Sequence, residues 1–70
     1  MLLHISTGRE MDGRWIAEVE ELAGALAHGP TRDGAVVAVK ALARRIVAER
    51  LAAGELRAED AATLSFAAAG

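Results

Sequence analysis

The sequence predicts an α+β protein of two layers, in the order β-β-β-α-β. Three observations carry this. Short alternating runs fill the first thirty residues, and each ends at a glycine or proline. A long stretch from Arg32 then changes to apolar spacings of three and four. A short alternating run, Thr63 to Ala68, closes the chain. Seventy residues form one domain, 1–70. A chain of this size buries only ~60% of its unfolded surface, so its net stability is a few kcal/mol at most.

Residues 2–9 read as the first strand, with Leu3, Ile5 and Thr7 alternating against Leu2, His4 and Ser6. Asp12-Gly13 predicts a tight hairpin, a two-residue turn of type I′, because that turn needs positive φ at both central positions. Arg14 to about Glu20 forms the second strand. Trp15, Ala17 and Val19 share one side; Ile16 lies on the other with Arg14, Glu18 and Glu20. Gly24 turns the chain into a short third strand, Ala25 to His28, which Gly29-Pro30 stops because proline lacks a ladder N–H.

Thr31 is the expected N-cap of the helix, with Asp33 placing negative charge at the positive end of its dipole. The helix runs to about Ala53. Val36, Val39, Leu42, Ala43, Ile46 and Val47 form the stripe predicted to lie on the sheet. Gly54 marks its end, where a left-handed residue is wanted. Glu55 to Ala62 is a polar, Ala-rich connector with room for a helical turn. A right-handed crossover would return the last strand beside the first and parallel to it.

Composition excludes several classes. Without cysteine there is neither a disulfide framework nor a thiolate metal site. No apolar run approaches the ~20 residues that span a bilayer, and the N-terminus has no signal-peptide pattern, so a cytoplasmic protein with no membrane role is expected. His4 and His28 lie on different strands and read as half-buried strand residues, since zinc takes three or four ligands. Ser6 and Ser65 have no triad-like surroundings. The glycines form no phosphate-binding loop, and no cofactor is expected. Glu18 and Glu20 share a strand face that two-metal nuclease chemistry could use, but no third ligand accompanies them. A solvated strand face accounts for them as well. The basic helix has no interleaved aromatics of the kind that stack RNA bases.

Charge is unevenly spread. Residues 1–30 hold five acids against two bases, whereas residues 36–51 hold four bases against one acid. An acidic sheet half beside a basic helix suits recognition of a charged partner. Scarce aromatics (Trp15 and Phe66 alone) and much alanine imply a thin core. A homodimer, formed through an open edge of the third or last strand, would offset that weakness.

The run DGRWIAEVEELAG, then ALAHGPT, then the long helix, resembles the HicB-like antitoxin family. Gly13, Trp15, Ala17, Val19, Glu21, Leu22, Gly24, Gly29 and Thr31 match the family's pattern, over roughly residues 2–55. Glu20 and Ala23 replace its usual prolines, and Gly34 replaces a glutamate that would complete a capping box with Thr31. The resemblance implies a partial RNase H-like fold without catalytic acids. It implies an antitoxin of a type II toxin-antitoxin pair, which covers the active site of a small basic mRNA-cleaving HicA-like toxin. The sequence matches the short form that lacks a C-terminal DNA-binding domain, so no direct DNA binding is expected. On this reading the partner-binding residues are Trp15, Glu18, Glu20 and Glu21. Trp15 is a candidate anchor, but packing in the core against the helix stripe is the favoured role for it; the three glutamates would complement a basic partner. The alternative is a stand-alone homodimeric module of the same fold, with no toxin and an unknown ligand.

Overall fold

The computed structural model describes residues 1–69, in the element order β1 (Leu2–Arg9), β2 (Trp15–Val19), β3 (Leu26–Gly29), α1 (Arg32–Ala52), α2 (Ala58–Ala62) and β4 (Ser65–Ala68). The strands form one sheet in the order β3-β2-β1-β4. β1–β2 and β2–β3 are antiparallel, and β4 runs parallel to β1, with Leu3 opposite Phe66 and Ile5 opposite Ala68. The α+β class, the strand order and the parallel return of the last strand agree with the sequence expectation.

Alternation decides which residues meet the helix. Leu3 and Ile5 of β1 and Ala17 and Val19 of β2 are buried on the helix side, together with Ala25. The helix answers with Ala35, Val39, Ala43 and Val47, each four residues after the last, so that they stack on one side of α1. The predicted stripe is shifted. Ala35 belongs to the buried line. Leu42 is half-buried and does not pack on the buried cluster. The small side chains of Ala17, Ala35 and Ala43, all fully buried, let helix and sheet come close. At Gly29 the approach is tighter still. A Cβ there would lie 2.7 Å from the Ala35 amide nitrogen, so only glycine fits where α1 starts across β3.

The helix ends follow their local chemistry. Thr31 is extended (φ −129°, ψ 160°), and its hydroxyl accepts the Gly34 N–H at 3.0 Å. At the far end Gly54 takes φ +75°. The Gly54 N–H donates to the Leu51 carbonyl at 3.1 Å and the Glu55 N–H to the Arg50 carbonyl at 2.8 Å, which is a Schellman closure.

The first hairpin differs from the predicted two-residue turn. Arg9 still pairs with Trp15, and the Glu10 N–H donates to the Arg14 carbonyl at 2.8 Å, so the loop is Met11-Asp12-Gly13. The Gly13 N–H closes a turn onto the Glu10 carbonyl at 2.9 Å, and only Gly13 has positive φ, +89°. A turn with one left-handed residue spares Asp12 that conformation. The Asp12 carboxylate instead accepts the Arg14 N–H at 3.0 Å and its Nε–H at 2.8 Å. Small boundary shifts accompany this: β2 starts at Trp15 and β3 spans Leu26–Gly29. The connector does hold a helical turn, α2.

Candidate interaction surfaces

Two surfaces lie free on opposite sides of the sheet. The first is the face that carries no helix. It presents His4 and Ser6 from β1, Ile16 and Glu18 from β2, and Leu26 and His28 from β3, which are the residues that alternate with the buried ones. Leu2 (52% exposed) and Leu26 (40% exposed) keep substantial apolar area in solvent here.

Of the four residues expected to bind a partner, the structure brings three glutamates to this side and leaves Trp15 off it. Trp15 is half-buried and packs on the core from the helix side, with the Arg9 guanidinium 5.8 Å from its ring centre. Glu21 is engaged. Its carboxylate accepts the His4 backbone N–H at 2.8 Å and sits 2.5 Å from His4 Nδ1, while the Glu20 N–H donates to the His4 carbonyl at 3.0 Å. Where the β1–β2 ladder ends at Ile5–Val19, the Glu21 side chain thus replaces a backbone partner for β1. The hydrogen bond to Glu21, reinforced by its charge, holds the His4 imidazolium above the ordinary histidine range. The bond from His4 likewise holds the Glu21 carboxyl below its ordinary range.

A second pair, His28 Nε2 to Glu10 Oε1 at 2.6 Å, ties β3 to the β1–β2 loop. Glu18 and Glu20, by contrast, form no ion pair among the described residues, and both are exposed. They are the free negative charge of this face, flanked by Ile16 and Leu26. Among the described residues no three His, Asp or Glu side chains gather in a metal-ligating group. No helix there is long and apolar enough to cross a membrane.

The second surface is a groove on the helix side. α1 packs on β3 and β2 and barely reaches β1. Between the helix and β4 a trough of about 250 Å³ remains, floored by Ile5, Val36, Phe66 and Ala68 and bordered by Thr7, Arg32, Asp33 and Lys40. Lys40 Nζ lies 5.6 Å and Arg44 Cζ 5.4 Å from the centre of the Phe66 ring. Arg32 donates to the Thr7 hydroxyl at 3.2 Å. Neither this groove nor the His4–Glu21 pair is foreseen from the sequence. The groove depends on where the helix lies laterally, and the pair joins residues 17 apart through the sheet register.

No family model, no curated protein and no solved structure matches the chain.

Proposed function

We propose that the protein is an interaction module that docks a basic protein on its open sheet face, and that it acts as an antitoxin covering a small basic mRNA-cleaving HicA-like toxin. The observation that carries this is the free pair Glu18 and Glu20 on a face no helix covers, beside exposed Leu26 and half-buried Ile16. Unpaired charge beside apolar area is what a partner of opposite charge recognises, and it speeds encounter as well as fixing register. The sequence resemblance to HicB-like antitoxins supports the toxin as partner. The docking set is narrower than the sequence suggested: Glu18 and Glu20 carry it, Glu21 serves the fold through His4, and Trp15 serves the core.

The test uses a small basic HicA-like ribonuclease as the probe. The purified protein should bind it, protect RNA from it, and lose affinity as salt rises to about 0.5 M. The double variant Glu18→Lys/Glu20→Lys should weaken binding at least ~10-fold while the fold is retained, since both residues are exposed. Absence of binding and of protection would overturn the reading.

A second reading, a homodimeric module with no toxin, rests on the two open sheet edges, β3 and β4. A solution mass of twice the chain at tens of micromolar, with no such ribonuclease bound, would favour it.

A further inference from the structure

We propose that the groove between α1 and β4 receives an extended acidic segment of a partner protein, added to the sheet beside β4. Three observations converge on it. First, β4 is an edge strand. The Ser65 N–H donates to the Met1 carbonyl and the Ala69 N–H to the Ile5 carbonyl, so by alternation the N–H and C=O groups of Phe66 and Ala68 point away from β1. Among the described residues that is an unpaired row of donors and acceptors, of the kind an incoming strand completes. Second, the Phe66 and Ala68 side chains floor the groove, so a strand added there places every second side chain in an apolar trough. Third, the rim is cationic: Arg32 and Lys40 border it against one acid, Asp33, and Arg44 lies close by over the Phe66 ring.

Spacing defines the occupant further. Arg32 and Lys40 lie eight positions apart on α1, about 12 Å along its axis. Side chains four positions apart on a strand, on the same side, are about 13 Å apart. The fitting segment is therefore acid-x-apolar-x-acid, with its central side chain on Phe66 and Ala68 and its acids reaching the two cationic ends.

Two other occupants fit the groove less well. A second copy paired through β4 would bring two sets of Arg32, Lys40 and Arg44 to face each other across one gap. A single-stranded nucleic acid would need rings for successive bases to stack on, and with Trp15 packed on the core only Phe66 is at hand. The groove uses neither Glu18 nor Glu20, so it is independent of the docking face proposed above.

The test is a titration of isotope-labelled protein with the capped peptide Ala-Glu-Ser-Val-Ser-Glu-Ala, followed by amide NMR. The expected result is saturable binding with a Kd below about 1 mM, with the largest shifts at Phe66, Ala68 and the first three turns of α1. Lys40→Glu/Arg44→Glu should weaken it at least ~10-fold, and so should about 0.5 M salt on the unaltered protein, which removes dependence on how that variant folds. A peptide with lysines in place of its glutamates should not bind. The proposal is overturned if the peptide causes no shifts at these residues or shifts the helix-free face instead. It is also overturned if an oligouridylate occupies the same amides more tightly. Self-association of the free protein through β4, seen as protected Phe66 and Ala68 amides, overturns it as well.

Discussion

The helix side of the sheet is built in two unlike halves. Over β2 and β3 the helix is seated on small side chains, Ala17, Ala35 and Ala43, and backbone meets backbone at Gly29. Over β4 there is no such seat, although Leu3 and Ile5 of β1 beside it are buried. The nearest helix residues there are Arg32, Val36 and Lys40, which line a trough, with Arg44 over the half-exposed Phe66 ring. A core of alanines makes close contact over a narrow width, so one helix sits squarely on β2 and β3, meets β1 through the buried Leu3 and Ile5, and leaves β4 at its margin. Where a larger protein would lay a second helix, this one keeps a cationic groove, and the reverse side of its sheet keeps an acidic face.

If the covered half is as tight as the geometry says, substitutions there are costly and the same ones over β4 are not. Gly29→Val should have the largest effect. Its Cβ would fall 2.7 Å from the Ala35 amide nitrogen and 3.0 Å from the Gly34 carbonyl carbon, neither of which is free to move. A loss of about 3 kcal/mol or more is expected, enough to leave much of so small a domain unfolded in a urea titration. Ala43→Leu, which adds bulk at a fully buried helix position, should cost about 1–3 kcal/mol by the same measurement. Its counterpart in the open half, Ala68→Leu, adds the same bulk beside the groove and should change stability by no more than about 0.5 kcal/mol. Equal costs at the two alanines would erase the distinction between the halves. Thr31→Ala, which frees the Gly34 N–H at the start of the covered half, should cost about 1 kcal/mol.

The smallest effect belongs to the opposite face and depends on pH. His4 titrates above its ordinary value because Glu21 bonds and attracts its protonated form. Its contribution is therefore complete below about pH 6.5 and is lost as pH rises through the folded value. Glu21 titrates below its ordinary value, so its contribution is complete above about pH 4.5 and is lost as pH falls. The pair works best between those limits. The melting temperature of the native protein should exceed that of His4→Gln by more at about pH 5.5 than at about pH 8. A gap that does not change with pH would mean that the pair contributes nothing.

Much of this architecture is legible in the residues, and the failures have physical causes. Alternation at Leu3/Ile5 and Ala17/Val19 marks the buried side of β1 and β2, and Thr31 and Gly54 mark the ends of α1 closely, because capping is local chemistry. Ala35 is missed because alanine carries little signal: Ala41, Ala48 and Ala52 on the same helix are exposed. The hairpin is misread by one residue because Asp-Gly suits two loop lengths, and what selects between them is the Glu10–Arg14 pairing across it. Trp15 has the composition of an interface anchor, but alternation already placed it with Ala17 and Val19. Glu18, Glu20 and Glu21 look alike in sequence; only the fold along β1 shows that Glu21 is bound to His4 and the other two are not.

The central claim is that β4 and the groove beside it are an open, binding-ready half, set against a closed half built on β2 and β3. Amide hydrogen exchange of the isolated protein tests it most directly. Val19 and Glu20, whose N–H groups donate to Ala25 and His4, should exchange slowly, and Phe66 and Ala68 faster by orders of magnitude. Equal protection at Phe66 and Ala68 in the free protein would mean that the β4 edge is already covered, and the account would be contradicted.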